Sequence, residues 1–418
     1  MNKKLISNIN GYILYTVISS VIPFLLMPIL TRYLSPEQYG MITMFAVYTA
    51  IIGSIIGFST LTAFIKIYYS EKYKNRVYLS TSILISLLSS LVIFLLIYIA
   101  GHYLVTLYEF KVWWLYTGIA LVFFENVISV QTLLFRMESK VFKFGLFELS
   151  RILLRSVITI FFVIYLNFGE DGPILSNLIA ASIFVIISIY ILYKNKSISF
   201  YPRYDYAKHA LSFGVPLTPH VLFGTLSTTI DKIVIVAMIS KAELGVYAIG
   251  FAIGGIIKAL EGSIYMAYQP WFFKEMSKGV PSKKEIKRSN LLIMIGLFIS
   301  SFLVIIVSNN FLHYYVGSQF VRAVEIVPWI AIAFSINGAY TMANQIVLYK
   351  NKTGMISVIT IFTVILGIFI NYILIGQNGM VGAAQAMLLI ISIRAIIMLV
   401  YSNKLYCMEW FQFIKKQN

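Results

Sequence analysis

One cysteine, Cys407, and four scattered histidines (His102, His209, His220, His313) are all that 418 residues offer for thiol or imidazole chemistry. A lone cysteine excludes an intrachain disulfide framework, and none of these residues has the clustered spacing of a zinc site. No resident metal or redox cofactor is therefore expected. Charge is equally scarce, at 12% of the chain against about 25% in soluble domains. With 59% hydrophobic residues and a mean hydropathy of +0.85, a water-soluble globule is excluded. There is no GxxxxGK[ST] loop, so the chain has no phosphate-binding loop with which to use ATP. Acid is scarcest: 16 Asp and Glu stand against 33 Lys and Arg, a formal charge of +17. In a soluble protein that excess suggests nucleic acid; here it has first to be placed on a membrane topology.

What is present is a succession of apolar runs. A membrane-crossing helix needs about 20 apolar residues at about 1.5 Å rise each. Twelve runs meet that pattern, at 9–31, 40–65, 78–100, 112–135, 144–166, 173–193, 210–237, 244–270, 290–309, 324–349, 354–375 and 380–402. The first follows Lys3 and Lys4 as a signal peptide would, but it is long, contains Pro23 and Pro28 and lacks a small-residue cleavage pattern, so it reads as a retained helix. The expected fold class is an all-α integral membrane protein.

The connecting segments orient these spans. Segments on the side of the N-terminus carry 24 Lys and Arg; the opposite segments carry four, Arg32, Lys111, Lys241 and Arg322. The positive-inside rule then places both termini in the cytoplasm. The basic excess becomes a cytoplasmic face held against anionic headgroups, and no nucleic-acid partner is expected.

The connection at 194–208 divides the spans six and six, which predicts two six-helix bundles, 1–200 and 201–418, around a central cavity. Ser35-Pro36-Glu37-Gln38-Tyr39-Gly40 recurs in pattern as Ser240-Lys241-Ala242-Glu243-Leu244-Gly245, a shift of 205 residues. Pro23 and Pro28 interrupt the first span, Pro216 and Pro219 the seventh, and Gly53/Gly57 and Gly250/Gly254 follow at small-xxx-small spacing. Prolines and glycines are common in membrane helices and GxxxG marks close packing. Broken helices at matching positions of two halves nevertheless point to a transporter's moving parts, and the four prolines are candidate hinges. An even number of spans per half makes the repeats parallel, related by an axis along the membrane normal.

The run Pro23-Phe24-Leu25-Leu26-Met27-Pro28-Ile29-Leu30-Thr31-Arg32-Tyr33-Leu34-Ser35-Pro36-Glu37-Gln38-Tyr39-Gly40 resembles the first-helix signature of the polysaccharide-export flippases, members of the superfamily that also holds the MATE multidrug transporters. The opening of the second half, Gly214-Val215-Pro216-Leu217-Thr218-Pro219 with Asp231-Lys232 and Glu243-Leu244-Gly245-Val246-Tyr247, is similar to that group's seventh helix and following turn. The resemblance implies a flippase of the bacterial cytoplasmic membrane that moves undecaprenyl-pyrophosphate-linked oligosaccharide by alternating access, for O-antigen, capsule or other surface polysaccharide. It implies lipid-linked oligosaccharide and membrane lipid as partners, with a polysaccharide polymerase and chain-length machinery downstream. The peptidoglycan-precursor flippases of the superfamily carry charge within the first helix, whereas residues 11–30 here have none.

Charged residues inside the spans are the candidate site, since an ionisable group at mid-bilayer costs about 2.5 to 3.5 kcal/mol and needs a partner or a wet cavity. Span 4 holds Glu125, span 5 Glu148, Arg151 and Arg155, span 7 Asp231 and Lys232, span 8 Lys258 and Glu261, and span 12 Arg394; Lys66 ends span 2. Glu148, Arg151 and Arg155 share one helix stripe and read either as a self-paired cluster or as a cationic contact. Lys258 and Glu261 have the spacing to neutralise each other, while adjacent Asp231 and Lys232 diverge by about 100° on a helix and are expected to look elsewhere. Lys66, Arg151, Lys232, Lys258 and Tyr265 are candidate substrate contacts, with interhelical ion pairing as the structural alternative for Lys232 and Lys258. Asp231, Glu261 and Glu125 are candidate ion-coupling groups. Asn337, Asn344 and Gln345 have the chemistry to bind sugar hydroxyls, though interhelical hydrogen bonding explains each alone.

The nearest alternative is a cation-coupled multidrug antiporter of the same fold, which predicts cavity carboxylates in excess of cations. A membrane polysaccharide polymerase or ligase would need a substantial outside loop bearing catalytic groups. The outside segments are all short, so a transporter rather than an enzyme is expected.

Overall fold

The computed structural model describes residues 3–68, 73–199, 201–277, 283–350, 352, 354–406 and 408; Cys407 lies outside them. Every regular element among the described residues is helical, as lipid requires of a chain that must satisfy its backbone within each segment. The helices are α1 (Lys3–Tyr33), α2 (Pro36–Ile55), α3 (Thr60–Ile67), α4 (Asn75–Tyr108), α5 (Val112–Met137), α6 (Val141–Ile160), α7 (Asp171–Lys194), α8 (Tyr204–Leu226), α9 (Ile230–Met238), α10 (Lys241–Gly254), α11 (Ile256–Ser277), α12 (Lys283–Tyr315), α13 (Val327–Tyr349) and α14 (Gly354–Leu405). A π-helical turn, Phe161–Tyr165, extends α6, and a 3-10 helix, Ser318–Glu325, precedes α13. Among the described residues seven spans are long and apolar enough to cross a membrane, or nine when the bent pairs α8/α9 and 3-10/α13 each count as one. The protein is a multi-pass membrane protein. The last two expected runs are the limbs of α14, which turns at Gly379 (φ 60°, ψ −140°).

The prolines do not break their helices. α1 runs through Pro23 and Pro28 and α8 through Pro216 and Pro219. A proline removes one backbone bond, a loss that membrane helices absorb through neighbouring groups. The interruptions fall later. Span 7 bends by 52° between α8 and α9, and span 2 breaks at Gly57-Phe58-Ser59, three successive residues with positive φ (79°, 44° and 52°). At Gly57 a side chain would also meet Ser86 Oγ, and the Gly57 N–H donates to Ser89 Oγ at 2.9 Å, so a serine of α4 satisfies backbone that the helix has released.

The contacts divide the chain into two compact units, Met1–Leu34 with Met41–Leu226, and Ser35–Gly40 with Ser227–Asn418. The division expected from loop length was 200/201; α8 instead packs with the first unit, where Tyr206 and Ala210 join Phe64, Tyr78 and Leu134 in one buried cluster. The second unit contains the turn Ser35–Gly40, and there the internal repeat becomes physical. Ser35 Oγ accepts from Gln38 N at 3.2 Å and Ser240 Oγ from Glu243 N at 3.1 Å, so equivalent serines cap α2 and α10. A Cβ on Gly40 would overlap the Lys241 carbonyl oxygen, and one on Gly245 the Pro36 carbonyl oxygen. The two turns therefore meet backbone to backbone, with glycine required at both.

Candidate functional site

The second unit encloses a cavity of about 650 Å³ whose wall includes Ser227, Thr228, Asp231, Phe251, Lys258, Phe334, Asn337, Asn371 and Arg394, with Met387, Ile390 and Ile391 on its apolar side. The bend between α8 and α9 supplies its first corner: helix stops at Leu226, so Ser227 and Thr228 line the cavity from non-helical backbone.

Just past the bend, Asp231 and Lys232 do pair, contrary to the expected divergence. Lys232 Nζ lies 3.2 and 3.1 Å from the two carboxylate oxygens of Asp231 and donates to the Thr228 carbonyl at 3.0 Å. The reason is local. Thr229 has non-helical dihedrals, and at the first turn of α9 the long lysine stem folds back over the start of the helix, so the ideal-helix angle between neighbours does not bind the charged ends. Tyr247 Oη donates to Asp231 Oδ2 at 2.6 Å, and the ammonium sits 4.0 Å from the centre of the Phe251 ring. Both charged residues are buried; their charges are satisfied by each other, a phenol and an aromatic face.

Lys258 and Glu261 do not pair. Glu261 is buried and turns to α13, accepting from Asn337 Nδ2 at 2.9 Å and from Thr341 Oγ1 at 2.5 Å. Asn337 Oδ1 in turn accepts from Arg394 Nη2 at 2.7 Å, and the guanidinium carbon lies 4.5 Å from the Tyr340 ring centre. Asn337 is thus the joint between a carboxylate and a guanidinium. α13 offers two donors where Lys258 offers one flexible amine, and neutral hydrogen-bond donors need less desolvation than a second ion. Among the described residues Lys258 makes no hydrogen bond or ion pair; its ammonium stands 5.6 Å from the Phe334 ring centre, on the cavity wall. Counting Asp231, Lys232, Lys258, Glu261 and Arg394, this region carries one net positive charge.

The remaining candidates are dispersed. Tyr265 lines a smaller cavity of about 240 Å³ beside Glu261 and Thr341, and its hydroxyl accepts from Gln269 Nε2. Gln269 also reaches the fully buried Gln345, so Gln345 serves helix packing; Asn344 keeps an unpartnered buried Oδ1. In the first unit, Arg151 is held by Glu125, with Nη1 2.6 Å from each carboxylate oxygen, and by Glu148 at 2.8 Å. It is an ion-triad centre rather than a free cation. Lys66 is exposed, with its ammonium 4.1 Å from the Phe213 ring centre. Arg394 and Asn371 are among the cavity residues that sequence reasoning did not select as contacts. Arg394 was visible only as an intramembrane charge, and Asn371, in an otherwise apolar span, was visible only as an amide.

Three comparisons bear on this site. The profile of the polysaccharide biosynthesis protein family matches residues 5–276. A membrane protein of Haemophilus influenzae is 23% identical over 362 residues, which cover 85% of this chain and 86% of that one. Among solved structures, the lipid II flippase MurJ in an inward closed conformation superposes with a TM-score of 0.74 at 16% identity, covering 94% of this chain and 87% of that one. An inward-facing multidrug resistance MATE family transporter superposes with a TM-score of 0.68 at 14% identity, covering 94% and 96%. The chain has the fold of these transporters.

Proposed function

Since the chain belongs to the polysaccharide biosynthesis protein family, we propose that it is a flippase that carries polyprenyl-pyrophosphate-linked oligosaccharide repeat units across the bacterial cytoplasmic membrane by alternating access. The observation that carries the reading is Lys258: an ammonium with no ion-pair partner among the described residues, on the wall of a cavity that also holds Arg394. An unpaired cation at membrane depth is costly, and a pyrophosphate diester, with about two negative charges, is a ligand that removes that cost by charge-assisted hydrogen bonds. Phe251, Phe334 and the isoleucines of the wall lower the local polarity and so strengthen that attraction.

A sugar headgroup cannot cross bare lipid, because each hydroxyl stripped of water without a partner costs about 1 to 3 kcal/mol. A polar cavity removes that barrier while the polyprenyl tail stays in lipid. Outward movement of an anion is driven by an inside-negative potential and gains about 2.3 kcal/mol per charge at about 100 mV. Of the candidate coupling groups, Glu261 suits the role best: it lies one helical turn from Lys258 and is held by two neutral donors, whereas Asp231 and Glu125 are each bound to an internal cation. In this reading the termini and the basic segments face the cytoplasm, the prolines of α1 and α8 permit the helices to flex, and the flipped lipid passes to a polymerase and its chain-length machinery.

The test is headgroup accessibility in proteoliposomes containing a fluorescent undecaprenyl-pyrophosphate oligosaccharide. Wild type is expected to expose the headgroup on the opposite face. Exchange of organic cations for protons with no movement of several such lipids would establish the antiporter instead. Flipping unchanged by collapsing both potential and pH gradient would remove the coupling role of Glu261.

A further inference from the structure

The first unit has an open cavity of its own, lined by Ala46, Thr49, Ala50, Gly53, Leu121, Val122, Glu125, Asn126 and Ser129. It differs in kind from the cavity around Lys258. Among the described residues no cation and no aromatic ring stands on its wall. Its floor is built of small residues, and its polar groups are acceptors or hydroxyls at membrane depth on α2 and α5.

Three observations indicate what such a wall holds. Glu125 is gripped by Arg151, yet its side chain remains 42% exposed, so the carboxylate is oriented by the guanidinium and keeps acceptor capacity on its open side. Asn126 Nδ2 is committed to the Val122 carbonyl at 3.0 Å, leaving its Oδ1 as the acceptor. Beside it lies the left-handed break at Gly57-Phe58-Ser59. Irregular backbone and half-exposed polar side chains at this depth are tolerated only inside protein or against water, not against lipid. Arg151 Nη1 already bridges both oxygens of the carboxylate, so an incoming cation would compete with the guanidinium for it, while an anion would meet Glu125 directly. A neutral ligand that donates hydrogen bonds fits both conditions.

We propose that this cavity is a carbohydrate subsite: vicinal hydroxyls of the oligosaccharide donate to Glu125 and to Asn126 Oδ1, and the Ser129 hydroxyl serves as donor or acceptor to the same sugar. The inference rests on the flippase reading, to which it adds recognition of the sugar by the first unit. The small side chains of Ala46, Ala50 and Gly53 on its wall leave room for a pyranose.

The single native cysteine makes the test direct. In a Cys407→Ser background, Ser129→Cys or, as a second reporter should the first misfold, Thr49→Cys is labelled by a membrane-impermeant maleimide in folded, monodisperse protein. Ser227→Cys reports on the other cavity. The probes are undecaprenyl pyrophosphate bearing a neutral trisaccharide, undecaprenyl pyrophosphate without sugar, and tetraphenylphosphonium. The expected result is at least a tenfold slowing of labelling at residue 129 or 49 by the trisaccharide lipid and less than a twofold effect of the other two. In the same protein, Glu125→Gln, which keeps the shape and removes the charge, is expected to weaken that protection severalfold while protection at residue 227 persists. Equal protection by the sugar-free lipid, protection by the organic cation alone, or no labelling of either first-unit reporter overturns the subsite. Protection at residue 227 without protection at 129 or 49 overturns the subsite and leaves the flippase reading standing; protection at neither cavity overturns both.

Discussion

Lys232→Ala is the substitution whose consequence the structure specifies most closely. Removal of the ammonium leaves Asp231 buried, 6% exposed, with Tyr247 as its only hydrogen-bond donor from a side chain among the described residues. Removing one partner of a buried pair costs about 3 to 5 kcal/mol, because the other charge is left uncompensated, whereas replacing both by apolar or neutral groups of similar volume is often close to neutral. Lys232→Ala should therefore lower the Tm by roughly 6 to 20 °C for a unit of this size, and the double variant Asp231→Asn/Lys232→Met should recover most of that loss. A double-mutant cycle built on thermal unfolding in detergent, with scan rate held constant, reads the coupling directly. The reasoning is refuted if Lys232→Ala is as stable as wild type, or if the double variant is as unstable as the two single losses combined. A loss of transport in Lys232→Ala, taken alone, reports this structural damage and not a lost substrate contact.

Two further predictions concern turns between spans. Gly40→Ala and Gly245→Ala each place a methyl group on a backbone carbonyl of the opposite turn; each should destabilise by about 1 to 3 kcal/mol or more, and thermal unfolding of the two variants unchanged from wild type would show that the turns do not meet. Lys111 precedes α5 and bonds Asp171 at 2.6 Å and Glu170 at 3.2 Å. Burial alone lowers its pKa, but the hydrogen bonds and charges of Asp171 and Glu170 outweigh that and raise it above 10.5. The folded state therefore holds this proton more tightly than the unfolded chain. The stabilisation is complete below about pH 10.5 and is lost as pH rises through the raised value. The Tm difference between wild type and Lys111→Met should shrink across that interval, modestly because the side chain is 43% exposed; a difference independent of pH would contradict the assignment.

The fold was legible because lipid leaves few choices. Runs of about 20 apolar residues can only be helices there, and the expected runs fall on helices or helix pairs of the structure. The repeat was legible at Ser35–Gly40 and Ser240–Gly245 because capping and close approach each demand particular residues, Ser for the cap and Gly for the contact. The charges inside the spans were equally plain, but their partners were not. Which carboxylate an intramembrane cation meets depends on helix breaks and on donors from distant spans. Asp231 and Lys232 pair because the helix begins beside them, and Glu261 turns from Lys258 because Asn337 and Thr341 on α13 face it. The proline pattern misplaced the breaks for a related reason. A proline marks where a backbone bond is missing, while the bend falls where other groups take up the released backbone: the Lys232 ammonium at the Thr228 carbonyl and Ser89 at the Gly57 N–H.

The central claim is that an unpaired ammonium on the second-unit cavity holds the pyrophosphate of a lipid-linked oligosaccharide. Lys258 makes no hydrogen bond or ion pair among the described residues, so its loss should leave folding intact, which separates it from Lys232. The decisive measurement is flipping of undecaprenyl-pyrophosphate oligosaccharide in proteoliposomes by wild type, Lys258→Ala and Lys258→Arg at matched thermal stability. Loss of one charge-assisted contact of about 1.5 to 3 kcal/mol predicts a roughly 10- to 100-fold fall in transport for Lys258→Ala, with substantial activity kept by Lys258→Arg. Wild-type flipping by a well-folded Lys258→Ala would contradict the account.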